Sequence, residues 1–332
     1  MKKATGKANG KIIIMGEHAV VHGYPSVALP FHAVEMTVTI EQIQTNAYLV
    51  SDLYEGPLHQ APSDLQNLLA VYDQLRANLM TQNQSHWLIN IQSSIPAERG
   101  MGSSAAMATA LVRAFYNYYG LPLTEDQLLK YVDLSEKISH GNPSGLDARV
   151  AGLGVPLIYQ KNQPMTIVHF DTPYWLVVAD TGIHGNTKNA VSDVAAGLNS
   201  AFITRRQAVE HNLRQLGEAA TRFIDLVELD SAKMANDQWF TAICRTFKDA
   251  HQHLRALQVS SPELEAGVTF AEANGAGAAK LTGGGRGGCY FALCDSKDKA
   301  ALLAKALKEE NMAVASWVVP FKSSPIDDNA GE

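Results

Sequence analysis

Residues 95–106 of the chain read IPAERGMGSSAA, and the alanine-rich segment behind them contains no helix-breaking residue before Gly120. Gly100 and Gly102 stand one residue apart, and Ser103 and Ser104 follow them. Glycines let a backbone turn tightly and approach a ligand, while serines at a helix start can cap its free N–H groups. Because a helix N-terminus carries partial positive charge, the pattern predicts a loop that binds an anion, most often phosphate, in front of a helix.

Two other phosphate-binding loops are alternatives for this stretch. A Walker A loop is excluded, since no lysine precedes the two serines. Residues 100–105 do match the dinucleotide fingerprint Gly-x-Gly-x-x-Ala, which needs a strand directly before its first glycine and an acid about 20 residues later. Residues 96–99 separate the strand-like segment 87–91 from the loop, and the next acids downstream, Glu125 and Asp126, open a new helix. A helix that merely follows a glycine turn and binds nothing keeps equal weight.

The composition restricts the class of protein. A chain of 332 residues is long for one hydrophobic core and favours two domains. The net charge of −6 and a pI near 6.0 argue against nucleic acid as the main partner. The sequence shows no signal peptide and no apolar run long enough to span a bilayer, so no membrane association is expected. Three cysteines without metal-ligand spacing favour a reducing cytosol and therefore a cytoplasmic location: Cys244, Cys289 and Cys294.

Charged side chains accompany a strand near the N-terminus. Residues 7–15 are predicted to form this strand, and Lys11 at the edge of its isoleucine run must extend to solvent or pair with an anion. The following loop, residues 16–25, carries Glu17 and His18. Loops often carry binding residues, although charged loop side chains are as often only solvated, and both interpretations stay open.

A second group of acids belongs to a helix and the turn that follows it. A capping-box pattern at residues 124–127 predicts a helix that ends near residue 141. Glu136 and His140 lie one turn apart on one face of it. The turn HGNPSGLD begins at His140, and its Ser144 is predicted to cap a short helix that carries Asp147 in its first turn. If both acids point into one cleft, one suits a metal and the other a substrate hydroxyl. Taken alone, they are more simply a surface carboxylate and a turn acid.

The C-terminal half contains the second concentration of glycines. Residues 280–289 read KLTGGGRGGC and are followed by a predicted strand, 290–294, and a predicted helix, 297–309. The glycines permit a turn that lies against a bound ligand. Residues 204–257 are mainly helical, and three histidines there are predicted on helix surfaces: His211, His251 and His253.

Four segments, in their order along the chain, resemble the GHMP kinases, and within that family the branch whose members phosphorylate mevalonate. They are KIIIMGEHAVVHG at 11–23, GMGSSAA at 100–106, HGNPSGLD at 140–147, and KLTG with the glycines after it from residue 280. Each segment alone is modest support for the resemblance. The ordered set is highly specific.

The resemblance implies an α+β fold of two domains with the active site in the cleft between them. Residues 1–170 would form an N-terminal ATP-binding domain similar to domain 2 of ribosomal protein S5, and residues 171–332 a ferredoxin-like C-terminal domain. The activity implied is ATP- and Mg²⁺-dependent phosphorylation of the terminal hydroxyl of mevalonate to 5-phosphomevalonate. We expect a homodimer or a monomer.

The resemblance also implies roles for individual residues. Asp147 is similar to the aspartate beside the substrate hydroxyl, and Lys11 to its ion-pair partner. Ser104 and Glu136 correspond to the residues that hold Mg²⁺. The substrate-binding residues implied are Glu17, His18, Thr187 and Gly284. The first three fall at positions where the family either contacts mevalonate or orients Lys11 and Asp147. The phosphate-binding residues implied are Glu98, Arg99, Gly100, Met101, Gly102, Ser103, Ser104 and Ala105.

Two departures and several rival functions accompany the resemblance. Gly284 and Arg286 replace an alanine and a glycine of the last glycine loop in many relatives, and Met107 stands where animal members carry a tyrosine. Phosphomevalonate kinase, homoserine kinase and galactokinase are rivals within the family. Outside it, a non-catalytic nucleotide-binding regulator and a dehydrogenase are the alternatives. Retention of Lys11, Glu136 and Asp147 together argues against the regulator.

Overall fold

The structure is a computed structural model that describes residues 2–79, 86–141, 143–229 and 236–323. The chain divides into two compact units. The first comprises residues 1–11, 30–96 and 102–154, and the second residues 12–29, 97–101 and 155–332. The predicted single boundary at residue 170 stays a prediction.

Two long strands contribute to both units: β1 (Lys3–Met15) and β2 (Ser26–Ile43). The remaining strands of the first unit are β3 (Tyr48–Val50), β4 (Glu55–Pro57) and β5 (His86–Ser93). Its helices are α1 (Gln66–Leu79), α2 (Ser103–Tyr119), α3 (Glu125–His140) and α4 (Leu146–Leu153), with short 3₁₀ turns at Leu58–Gln60 and Ser63–Leu65.

The sheet of the first unit is mainly antiparallel. Residues Met36–Ile43 of β2 pair with β5, and β3 pairs with β4 in the same sense. The pairing of β3 with β5 is parallel. Trp87 on β5 is fully buried and packs edge-on against Phe115 and Tyr118 of α2. The apolar face of α2 therefore fixes this helix, and with it the glycine loop at its N-terminus.

The second unit contains the ends of β1 and β2 and the rest of the chain. Its strands are β6 (Leu157–Tyr159), β7 (Thr166–Ile167), β8 (Asp171–Asp180), β9 (Ala278–Thr282), β10 (Cys289–Cys294) and β11 (Ala315–Lys322). Its helices are α5 (Thr187–Leu198), α6 (Ile203–Val227), α7 (Asp237–Ala256), α8 (Pro262–Ala273) and α9 (Lys297–Glu309), with a 3₁₀ turn at Ala19–His22.

An antiparallel four-stranded sheet of order β11-β8-β10-β9 organises this unit. Every residue of β9 and β10 is buried, as expected for strands that lie inside a layered α+β domain. Phe223 of α6 and Phe247 of α7 stack at 5.7 Å, and Phe247 also contacts Phe291 of β10 edge-on. The core thus lies between the sheet and the two long helices.

Several local predictions are confirmed. Thr124 and Gln127 form the predicted capping box at the start of α3, and α2 ends at Gly120 in the left-handed conformation. The prediction that His251 lies on a helix surface is wrong: its side chain is buried, since the imidazole accepts a hydrogen bond from the Leu281 N–H of β9.

The structure also bears on two alternatives from the sequence. The strand β5 ends at Ser93, well before Gly100, so the tight strand-to-glycine turn that the dinucleotide fingerprint requires does not occur here. Among the helices of the described residues, none combines the length and the apolar composition that a membrane crossing requires.

Candidate active site

The helix α2 begins directly behind the paired glycines. Gly102 is its N-cap residue, with a left-handed φ of 74°, and no side chain caps the helix. The prediction that Ser103 or Ser104 caps it is therefore wrong, because both serines lie inside the first turn. The leading N–H groups of a helix have no partner within the helix. An end that no side chain caps suits an anion.

The hydroxyl of Ser104 belongs to a polar cluster instead. Asn67 of α1 donates to Ser104 Oγ at 2.9 Å and to Ser135 Oγ at 3.1 Å. Ser104 Oγ also lies 3.2 Å from Ser135 Oγ and 2.9 Å from Ser139 Oγ. Three helices of the first unit thus fix the position of this one hydroxyl.

Lys11 and Asp147 form an ion pair with 3.0 Å between Nζ and Oδ1. The lysine is 2% exposed, so its ammonium depends on this partner. Its aliphatic stem crosses Gly102, where an added Cβ would lie 2.9 Å from Lys11 Cγ. Asp147 lies in the first turn of α4, whose N-cap is Gly145 rather than the predicted Ser144; the Ser144 hydroxyl accepts from the Leu146 N–H instead.

Glu136 lies on α3 close to this pair and is buried. Its Oε1 makes no hydrogen bond within the described residues, and its Oε2 lies 3.7 Å from His140 Nε2. Burial and, to a smaller extent, the negative charge of Asp147 together raise the pKa of Glu136 to about 8, against smaller opposing effects of Ser104 and Lys11. A cation beside Glu136 would lower this pKa and favour the ionised carboxylate.

A metal at this position would need ligands other than a cluster of charged side chains. Nowhere in the described chain do three or more histidine, cysteine, aspartate or glutamate side chains gather in a way that would hold an ion. The oxygens available are those of Glu136 and Ser104, supplemented by ligand oxygens.

We predict that Gly102→Ala impairs activity through Lys11, and Gly120→Ala is its matched control. Both glycines have φ near 70° and flank the same helix, but an added Cβ meets Lys11 at Gly102 and open space at Gly120. Each variant should lose about 1–2 kcal/mol of unfolding free energy, because alanine is strained at positive φ. Only Gly102→Ala should also lose kcat, by roughly tenfold or more. Denaturant titration measures the unfolding free energy, and steady-state kinetics measures kcat. Equal kcat values in the two variants would contradict a role of Lys11 in activity.

The second unit contains another buried ion pair, between Glu17 and Lys280 Nζ. Both side chains are completely shielded from solvent. The adjacent His18 is also buried, and this lowers its pKa to about 4. A neutral His18 whose Nε2–H donates to the Gly284 carbonyl at 3.0 Å leaves Nδ1 as an acceptor, and this atom has no partner within the described residues.

The sequence predicts that the glycines of the second loop lie against a bound ligand, but in the structure several of them lie against other parts of the protein. A Cβ on Gly283 would lie 3.0 Å from the backbone of Gly100, and one on Gly288 would lie 2.8 Å from the Arg99 carbonyl. A Cβ on Gly284 would overlap the Thr187 side chain, with 2.1 Å to Oγ1. Close contact between the two glycine loops therefore requires Gly283 and Gly288, and the contact with Thr187 of α5 requires Gly284, independently of any ligand.

Two residues that the resemblance assigns to phosphate binding are engaged within the protein. Arg99 pairs with Asp180 at 3.0 Å and donates to the Gly182 carbonyl at 2.8 Å. Glu98 is exposed and lies 3.0 Å from His184 Nδ1. The guanidinium of Arg99 thus holds its loop against the end of β8, and a phosphate contact from these two residues stays a prediction.

Arg286 connects the second glycine loop to α5. Its guanidinium lies 2.6 Å from Asp193, its Nε donates to the Gln258 carbonyl, and its backbone N–H donates to Val259. A φ of 56° is unusual for a residue with a Cβ. The two side-chain contacts, to Asp193 and to the Gln258 carbonyl, account for an arginine at a position whose backbone would suit glycine.

Two family models match the chain: the GHMP kinase N-terminal domain at residues 67–154 and the GHMP kinase C-terminal domain at residues 205–313. A mevalonate kinase of Aeropyrum pernix is 30% identical over 304 residues, which cover 88% of this chain and 89% of that protein. The chain belongs to the mevalonate kinase family of GHMP kinases.

Solved structures agree with this membership. The crystal structure of mevalonate kinase from methicillin-resistant Staphylococcus aureus is 31% identical, with a TM-score of 0.70 over 96% of this chain and 99% of that one. The mevalonate kinase of L. major, crystallised in complex with R-mevalonate, has the same fold, with a TM-score of 0.75 at 24% identity over 98% and 97% of the two chains. The predicted two-domain GHMP kinase fold is confirmed.

Sequence reasoning missed several residues that contact the predicted site residues. Asn67, Ser135 and Ser139 surround the Ser104 hydroxyl, and Lys280 pairs with Glu17. A signal was present for two of them, because Ser135 and Ser139 stand one turn apart on the same predicted helix as Glu136. For Asn67 no local signal exists, since its partners Ser104 and Ser135 lie on other helices.

Proposed function

We propose that this chain transfers the γ-phosphoryl group of ATP to the terminal hydroxyl of mevalonate, which gives 5-phosphomevalonate and ADP. The observation that carries this proposal is the buried Lys11 ammonium, 3.0 Å from Asp147 and packed across the N-cap glycine of α2. The pair places a carboxylate, held by a cation, beside a helix end suited to phosphate. Phosphoryl transfer needs mainly such positioning and charge stabilisation.

The phosphates are bound by backbone groups in this proposal. The glycine loop from Gly100 to Ser104 leads into a helix whose first N–H groups lack a side-chain cap. These donors and the partial positive charge of the helix end attract the triphosphate. Among the residues that the resemblance assigns here, Gly102 and Ser103 are the strongest candidates, because they form the helix start itself.

The residues present fit Mg²⁺. Hard oxygen ligands suit this ion, and Ser104 and Glu136 supply a hydroxyl and a carboxylate. The unpartnered Oε1 of Glu136 and the raised pKa of its carboxyl are both what a missing cation would produce. When bound, Mg²⁺ neutralises charge on the phosphate oxygens. The Asn67 amide and the Ser135 and Ser139 hydroxyls keep the Ser104 oxygen in place.

Asp147 acts on the substrate hydroxyl. Its carboxylate accepts the proton of the attacking hydroxyl, or orients that hydroxyl when the transition state is loose. The ammonium of Lys11 favours the ionised form of Asp147, since a nearby opposite charge stabilises a carboxylate.

Mevalonate recognition falls to Glu17, His18 and Thr187 in this proposal. His18 stays neutral at physiological pH because burial lowers its pKa to about 4. With Nε2 engaged by the Gly284 carbonyl, Nδ1 accepts a hydrogen bond from a substrate hydroxyl. Thr187 begins α5 with its side chain against Gly284, so the glycine loop fixes its orientation.

A coupled ADP-release assay tests the proposed function. The protein is incubated with ATP and Mg²⁺ and, in separate reactions, with mevalonate, phosphomevalonate, homoserine or galactose. ADP release with mevalonate at a kcat/KM at least about a hundredfold above the others supports the proposal. Preference for any other of the four acceptors would contradict it.

A further inference from the structure

Lys280 is a fully buried cation of the second unit and has no part in the phosphoryl transfer proposed for this chain. Its side chain is completely shielded, like that of its partner Glu17. A buried lysine ordinarily loses its proton, and burial does lower the pKa of Lys280, while Glu17 opposes this effect. A pair of this kind is costly to bury and contributes little to the stability of a fold, and this favours a functional role for it.

The three directions around the Lys280 ammonium are all occupied by the protein. Nζ contacts Glu17 Oε1, donates to the Leu281 carbonyl at 2.9 Å and lies 5.0 Å above the ring of Phe291. An ammonium has three N–H donors, so none is directed at a ligand. Lys280 therefore does not bind substrate directly, and any effect of its charge on a ligand passes through Glu17.

The strand β9 aligns Lys280 with the segment that leads to Glu17. Thr282, on the same face of β9 as Lys280, donates to the Ile13 carbonyl and accepts from the Ile13 N–H, both at 2.9 Å. Lys280 faces Phe291 in the antiparallel register of β9 and β10. The backbone before Glu17 and the carboxylate of Glu17 are thus both held by one buried strand.

We propose that Lys280 is a positioning residue that fixes the Glu17 carboxylate, in its ionised form, for a hydroxyl of the substrate. This inference rests on the proposed function, because it assigns Glu17 to mevalonate. The cation acts only through Glu17, so its removal should weaken mevalonate binding and leave the ATP site unaffected.

The test compares Lys280→Met, Lys280→Arg, Glu17→Gln and the double variant Lys280→Met/Glu17→Gln with the wild type. We expect Lys280→Met to raise KM for mevalonate by roughly tenfold or more, the effect of weakening one hydrogen bond to a charged group. The KM for ATP should stay within about twofold and kcat should change less than the mevalonate KM. Lys280→Arg retains the charge and should recover part of the loss. Lys299→Met, which removes an exposed lysine paired with Asp295, is the matched control.

The double variant distinguishes an effect of Lys280 on the position of Glu17 from a general effect of Lys280 on the stability of the fold. If Lys280 acts only through Glu17, the double variant has the same KM for mevalonate as Glu17→Gln. A further loss in the double variant, or equal losses in both KM values of Lys280→Met, contradicts the inference. Lys280→Met leaves a buried carboxylate unpaired and could fail to fold for that reason. In that case, the test is the comparison of Glu17→Gln with the double variant, in which both side chains are neutral.

Failure of this inference is distinguishable from failure of the proposed function. A wild-type protein that does not phosphorylate mevalonate contradicts the function. A wild type that does so, with a Lys280→Met variant whose thermal stability falls while its mevalonate KM is unchanged, contradicts the positioning role alone.

Discussion

Replacing Asp147 with asparagine is expected to lower kcat by about 10²- to 10⁴-fold, the usual contribution of a positioned acid–base group. Asparagine keeps the size of the side chain but cannot accept the hydroxyl proton. It also leaves the buried Lys11 ammonium without a counter-charge, so some of the loss reflects a displaced lysine. Nucleotide affinity should change little, because the glycine loop and the start of α2 are unaltered.

Asp133→Asn is the control for this variant. Asp133 also pairs with a cation near α4, lying 2.6 Å from Arg149, but its carboxylate is partly exposed and far less dependent on its partner. An exposed pair contributes at most about 1 kcal/mol to stability, and its loss should leave kcat nearly unchanged. Steady-state kinetics and fluorescent-nucleotide binding provide the data. A kcat for Asp147→Asn close to that of the wild type would show that Asp147 does not take part in the phosphoryl transfer.

Replacing Glu136 with glutamine is expected to raise the Mg²⁺ concentration for half-maximal rate by about 10- to 100-fold, at saturating ATP and mevalonate. Glutamine retains the shape of the buried side chain and removes the charge that the cation would need. The exposed Glu125, in the first turn of the same helix, provides the control variant Glu125→Gln. If Glu136→Gln and the control required the same Mg²⁺ concentration, Glu136 would not be a metal ligand.

The same variant has a second readout that does not require activity. Glu136 ionises in the unfolded chain near pH 4.5, but in the fold its pKa is raised to about 8 by burial. Between these values the unfolded state has released a proton that the folded state retains, so stability falls as pH rises. In EDTA, the free energy of unfolding of the wild type should fall between pH 5 and 8.5 by on the order of a few kcal/mol more than that of Glu136→Gln. If the Tm of the two proteins changed with pH in the same way, the raised pKa of Glu136 in the metal-free fold would be contradicted.

The features that were predictable from sequence depend on local chemistry. Two glycines and two serines before an apolar segment indicate a helix start, and α2 begins at Ser103 and ends before Gly120 as expected. The Thr124 capping box depends on four consecutive residues, and it too is present. The side chain of Lys11, at the edge of an isoleucine run, was expected to extend to solvent or to pair with an anion. The partner that the resemblance implied, Asp147, is its partner in the structure.

What could not be predicted depends on contacts between segments far apart in sequence. Lys280 stands at the start of a glycine motif, and no local pattern indicates its pairing with Glu17, because the two residues lie 263 positions apart. The demand for glycine at Gly283 arises from the backbone of Gly100, and no local pattern distinguishes such packing from ligand approach. Likewise, His251 is buried because β9 supplies a backbone donor, which a helical periodicity does not indicate.

The central claim is transfer of a phosphoryl group to the terminal hydroxyl of mevalonate, and ³¹P NMR of the product with proton coupling retained tests it most directly. We predict that wild-type protein with ATP, Mg²⁺ and mevalonate yields a phosphate monoester whose phosphorus couples to the two protons of a primary carbon. An ester without such coupling would place the phosphate on the tertiary hydroxyl, and inorganic phosphate alone would mean hydrolysis of ATP. Either result would contradict the account.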